Sequence, residues 1–193
     1  MESWQALPQV ALARPGALAS RFAALGPRDL RAAARYVNAL PYGRSFSREN
    51  PALVLDEGRG TCSSKHTLLA LLAHEQGIAV ELMLGIYEMR EANTPGVGRV
   101  LERYGIPALP EGHCYLRYAG KRIDITRVVT GARAPIEPFL YEETIRPEQV
   151  AEYKVELHRR FMRDWLARNP LAGNPNFERV WAIREECIAA LSE

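Results

Sequence analysis

The stretch HCYLRYAGKRIDITRV, residues 113–128, alternates apolar and polar side chains on both sides of an Ala-Gly pair. Strand side chains alternate between the two faces of a sheet, so a hairpin turning at Ala119 and Gly120 fixes its own register. Tyr115 then faces Asp124, Leu116 faces Ile123 and Arg117 faces Arg122. Cys114, Leu116, Tyr118, Ile123 and Ile125 fall on one face, and His113, Tyr115, Arg117, Arg122, Asp124 and Thr126 on the other. The clean apolar and polar split supports that register. His113 and Asp124 become diagonal neighbours at about 7 to 8 Å between backbones, within reach of a long side chain. A three-residue turn would put them on opposite faces.

Upstream, Gly and Pro punctuate a series of helices. A short helix is predicted over Ala17–Leu25 with Gly26 as its stop. A second opens at Pro27–Asp29, with Leu30, Ala33, Ala34, Val37 and Leu40 at helical spacing before Pro41 and Gly43. Residues 42–60 are polar and turn-rich and read as a long connection. Thr61–Gln76 reads as a helix closed by Gly77, and the branched run 78–87 as a buried strand. Residues 88–112 carry many Pro and Gly around one short helix near Val97–Tyr104, a composition suited to a lid. Two amphipathic helices are predicted over 147–168 and 176–191, and the hairpin's second strand over 121–129. The expected fold is α+β, with a peripheral segment 1–27, a core 28–145 and a helical extension 146–193.

Composition narrows the function classes. A 47% hydrophobic and 25% charged chain has the balance of a globular protein. No apolar run approaches the roughly 18 to 20 residues that cross a bilayer, so no membrane association is expected. The N-terminus starts with an acid after Met1 and lacks the basic region of a secretory signal, which predicts a cytoplasmic protein. The net charge of +2 is spread along the chain without a basic cluster, so no nucleic acid partner is expected. Cys62, Cys114 and Cys187 form an odd set without CxxC spacing, which suits free thiols in a reducing compartment.

Cys62 is the thiol whose position carries chemistry. It opens the Leu-rich helix directly after Gly60 and Thr61. Unsatisfied N–H groups and the positive end of the helix dipole favour thiolate over thiol there. A thiolate nucleophile needs a histidine to move protons and a carboxylate to orient that histidine, which His113 and Asp124 can supply. The same position suits a packed helix residue, since free cysteine is among the most buried types. His66, four residues after Cys62, offers a local thiol–imidazole pair or two metal ligands, or else helix packing; no third ligand follows at a convincing spacing, so no metal is expected. Lys65 can lower a thiol pKa or simply be solvated, and Cys114 and Cys187 read as packing residues.

The order G-T-C, a leucine-rich helix, GIAVELMLG, then His113 on a strand and Asp124 eleven residues later resembles the transglutaminase-like cysteine-enzyme superfamily. The resemblance covers roughly residues 28–130. Tyr115 takes the place of an aromatic residue common after the family's histidine, while Thr126 stands where a proline is common near the aspartate. The resemblance implies a papain-related core, a cysteine-bearing helix packed on a small antiparallel sheet, and a Cys62–His113–Asp124 catalytic triad. It implies acyl transfer on amide bonds of a peptide or small amide substrate without a cofactor, by peptidase or amidase hydrolysis or by transamidation. Hydrolysis is favoured because excluding water takes a specialised acceptor tunnel. No DxDxDG-like calcium loop is present. The alternative is a noncatalytic protein-binding module that retains the fold, with 88–112 and the C-terminal helices as its partner surface.

Overall fold

A computed structural model describes residues 3–128 and 134–192. The fold is α+β, with seven α-helices and one four-stranded antiparallel sheet among the described residues. In chain order the elements are α1 (Ala17–Leu25), α2 (Leu30–Ala39), α3 (Leu53–Glu57), α4 (Cys62–Glu75), β1 (Glu81–Met89), α5 (Gly98–Arg103), β2 (Leu109–Tyr118), β3 (Lys121–Ile123), β4 (Phe139–Ile145), α6 (Glu152–Arg168) and α7 (Phe177–Ala190). Single 3-10 turns stand at Ser3–Ala6 and Pro147–Val150. The strand order is β3-β2-β1-β4. No helix of the described residues is long and apolar enough to cross a membrane.

The hairpin has the predicted register: Leu116 pairs with Ile123, Arg117 with Arg122, and Tyr118 with Lys121. Ala119 (φ 48°) and Gly120 (φ 74°) both take positive φ, the requirement of the two-residue turn that matches strand twist. Arg122 lies over the Tyr115 ring at 4.8 Å, which puts these two residues on one face as the alternation requires. The second strand is shorter than the predicted 121–129. It ends at Ile123 because the next backbone groups bond to side chains instead of a neighbouring strand; Val129 lies outside the described residues. Two elements carry no sequence expectation. α3 has five residues, too short for a helical period to show inside the 42–60 connection. β4 reads FLYEETI, with Leu140 and Tyr141 exposed and no clean alternation.

The described residues divide into two compact units, and the division runs within strands. Unit 1 takes those within Met1–Leu84, Cys114–Val128 and Glu143–Ala151. Its centre is α4, packed against α1, α2 and α3. Leu68, Leu69 and Leu72 of α4 are fully buried with Phe22, Leu30 and Val37. The end of α4 also caps α1: the Glu75 carboxylate accepts from the N–H groups of Leu18 (3.1 Å) and Ala19 (2.8 Å). Gln76 exchanges two hydrogen bonds with the Arg14 backbone. The N-terminal segment thereby gives Leu7 and Phe22 to the interior of this unit.

Unit 2 takes the residues within Gly85–His113, Val129–Glu142 and Glu152–Glu193. Here α7 packs against α5 and α6. Gly85 in β1 has a packing cause: a Cβ there would stand 2.5 Å from the Phe139 ring of β4. At the start of β2, Glu111 receives two hydrogen bonds from Arg184 of α7, and His158 of α6 donates from Nε2 to the Pro110 carbonyl at 2.8 Å. All three side chains are buried. A cation–aromatic stack continues outward through Trp181, Arg159, Phe177 and Arg163 at 4.1–5.3 Å.

Candidate active site

α4 begins with a reciprocal cap. The Thr61 side chain accepts from the Ser64 N–H, and the Ser64 hydroxyl accepts from the Thr61 N–H at 2.9 Å. Cys62 is therefore the first helical residue, at the positive end of the helix. Gly60 allows the chain to arrive there, since a Cβ would come within 2.9 Å of the Val54, Ser64 and Lys65 side chains. Residues 41–43 flank this approach, with Gly43 N–H donating to Gly60 and Gly60 N–H to Pro41. Cys62 keeps 7% of its surface, whereas Cys114 and Cys187 have none. Both are packed in the interior, as their positions predict, and burial pushes the Cys187 thiol up to about 12.

Residues 124–128, directly after β3, form no ladder, and side chains satisfy backbone groups there one at a time. The Ser3 hydroxyl accepts from the Asp124 N–H at 3.2 Å and also bonds the Asp124 carbonyl. The Ile125 N–H donates to His66 Nε2 at 2.9 Å. The Thr126 N–H and hydroxyl both donate to Asp124 Oδ1, at 3.0 and 2.6 Å. The Thr126 carbonyl accepts from Lys65 Nζ at 2.8 Å. A buried backbone group without a partner costs on the order of a lost hydrogen bond, so these contacts explain how an irregular segment is held beside α4. Thr126 thus holds the Asp124 carboxylate through both its backbone and its side chain.

His66 is fully buried, and its partners define its protonation. Nδ1 lies 2.7 Å from the Cys62 carbonyl and must donate, while Nε2 faces the Ile125 N–H and must accept. His66 is thus a neutral ring with both nitrogens committed to backbone. Asp124 Oδ1 stands 3.7 Å from its Nε2. Lys65 is also fully buried, contrary to the solvated reading of a helix lysine. Its ammonium donates to the carbonyls of Leu40 and Thr126. Burial pulls it down to about 8, and the Asp124 carboxylate opposes that shift.

Unit 1 therefore gathers Cys62, His66, Lys65 and Asp124 at one end of α4. His113 lies in unit 2, buried on β2, with its ring edge-on to Tyr87 at a centroid separation of 5.9 Å. The Tyr87 hydroxyl is fixed at 2.8 Å from Thr94 Oγ1, which anchors the ring against which His113 rests. Lys65 and His66 are the residues that sequence reasoning undervalued. Their signal was present in C-S-S-K-H, a lysine and a histidine side by side just before the leucine-rich run of the helix. No group of three or more His, Cys, Asp or Glu among the described residues is arranged to hold a metal. Compared with protein-family models, curated proteins and solved structures, the chain matches none.

Proposed function

We propose that the protein is a cysteine-dependent acyl-transfer enzyme acting on amide bonds, with Cys62 as nucleophile, His113 as general acid and base, and Asp124 as the carboxylate that orients His113. The carrying observation is the Cys62 end of α4: the least buried thiol of the three begins a capped helix, and the backbone next to Asp124 is tied to the same helix end. The commitment of both His66 nitrogens to backbone removes it as a proton shuttle and leaves that role to His113.

The Cys62 thiolate attacks the amide carbon and forms a C–S bond. As the tetrahedral intermediate collapses, the C–N bond breaks and the His113 imidazolium gives its proton to the departing amine. Water then attacks the thioester, His113 taking its proton, and releases a carboxylic acid and the Cys62 thiolate; an amine in place of water would give transamidation. N–H groups at the start of α4 suit the developing oxyanion. Peptides and simple amides are the substrate class, and no step calls for a cofactor.

The test is trapping of an acyl-enzyme with a library of glutamine peptides and simple amides, read by intact mass. A substrate-dependent adduct on Cys62, absent in Cys62→Ala, is the expected result. Iodoacetamide at pH 6 should label Cys62 and spare Cys114 and Cys187. Absent or equal labelling, with no adduct, would point to a noncatalytic binding module.

A further inference from the structure

We infer that His66 is a positioning residue, which sets where Asp124 stands by bridging the carbonyl of the nucleophile's own residue to the amide next to the carboxylate. This rests on the proposed roles of Cys62 and Asp124. One imidazole spans the two: Nδ1–H donates to the Cys62 carbonyl at 2.7 Å and Nε2 accepts from the Ile125 N–H at 2.9 Å. The ring is fully buried, so neither bond competes with water.

The bridge controls more than one bond. Asp124 and Ile125 are the first residues past β3, where the sheet no longer dictates the path of the chain. The Asp124 carboxylate is turned back on Thr126, so its direction follows the backbone of 124–126. Ser3 and Lys65 hold the outer ends of this segment, at Asp124 and Thr126. His66 ties its middle, the Ile125 amide, to the carbonyl of Cys62 in the first turn of α4. A shift of the Ile125 amide would move the carboxylate while leaving the nucleophile in place. Misplacement by about 1 Å costs as much as 100-fold in rate when it disturbs a catalytic geometry.

Two substitutions divide the bridge. His66→Gln can extend an amide oxygen to the Ile125 N–H, whereas His66→Asn can place an amide N–H at the Cys62 carbonyl but does not reach Ile125. The readout is the iodoacetamide alkylation rate of Cys62 between pH 5 and 9. In the wild type it should show a thiolate below the ordinary cysteine range; if it does not, the proposed function fails before His66 is in question. Given that wild-type profile, His66→Asn should slow labelling at pH 6 by about tenfold, the effect of one pKa unit. Asp124→Asn should do the same, and the double variant should be no slower than either single one. His66→Gln should label within about threefold of wild type, since it keeps the contact on which the placement depends. A folded His66→Asn with the wild-type profile, or losses that multiply in the double variant, would overturn the inference and leave the acyl-transfer reading standing. Nitrogen-15 spectra of the wild-type histidines at pH 8 add a check that needs no variant. They should show His66 protonated at Nδ1 only, and the opposite tautomer would also overturn it.

Discussion

Each unit buries a histidine against a backbone carbonyl, yet the two surroundings solve different problems. Around His66 the partners are mostly backbone: the carbonyls of Cys62, Leu40 and Thr126 and the amide of Ile125, reached by one neutral ring and one lysine. Around His158 the partners are charged side chains, with Glu111 and Arg184 paired twice and Lys154 close enough to act on Glu111. The first arrangement supplies hydrogen bonds to a segment that has left the sheet. The second clamps the start of a strand that the sheet already holds. Removing a group from the first should therefore disturb a position, and removing one from the second should take a main partner from a buried charge.

The largest expected effect follows from that difference. Burial pushes the Glu111 carboxyl up, but Arg184 and the neighbouring cations more than offset this and hold it below its ordinary value. Glu111→Ala takes the doubly bonded partner from the buried Arg184 guanidinium, leaving it Glu185 at Nη1, and should cost about 3–5 kcal/mol, measured by urea unfolding. The double substitution Glu111→Leu with Arg184→Met should recover much of the loss, since both members of the most buried ion pair leave together. A single substitution as mild as a surface change would mean that water reaches the pair.

The His158 contribution comes next and has a defined sign. Burial lowers the ring to about 4, with Glu111 opposing the shift. An unfolded histidine titrates near 6.5, so between these values the unfolded chain binds a proton that the folded protein does not. Stability should fall as pH drops from about 6.5 to 4, by on the order of 3 kcal/mol in full. Glu111, whose value is depressed below the ordinary carboxylate range, loses its contribution only at lower pH. Unfolding at pH 7 and pH 4.5 should show the decline in wild type and a flatter response in His158→Gln. An unchanged slope would mean that another group carries the acid sensitivity.

Lys65→Met probes the other surroundings and should cost less, about 1–3 kcal/mol, because it removes a buried charge together with two hydrogen bonds. It leaves the Leu40 and Thr126 carbonyls without their donor and takes a nearby cation from the Asp124 carboxylate, which keeps its two hydrogen bonds from Thr126. If it matched Glu111→Ala, the contrast between backbone ties and paired charges would collapse.

What the sequence made legible follows the range of the interactions. The hairpin register could be read because alternation and a two-residue turn are local, and the pairing of Leu116 with Ile123 follows from them alone. The cap at Thr61 and the Gly stops after α1 and α4 are equally local. The end of β3 was not legible, since it depends on Ser3 and His66 meeting residues 124 and 125 across long sequence separations. Lys65 was misjudged for a similar reason. Its identity argues for solvent, and only the carbonyls of two distant segments make burial tolerable. Pairing of Glu111 with Arg184 had no signature either, as the two are joined only by the packing of α7.

The smallest effect should be a gain, at a place with neither kind of buried polar contact. Ala119 is exposed and holds φ 48° at the first central position of the hairpin turn. A left-handed conformation costs an ordinary L-residue about 1–2 kcal/mol, and Asn tolerates it better because its short polar side chain bonds locally. Ala119→Asn should therefore raise stability by about 0.5–1 kcal/mol, with the Asn-Gly pair favoured in this turn type. The substitution touches neither the bonds to residues 124–126 nor the Glu111 pair. It should raise the urea midpoint while leaving the Cys62 alkylation profile unchanged. A gain in stability with an altered profile would show that the turn, and not the ties from α4, governs where the carboxylate stands.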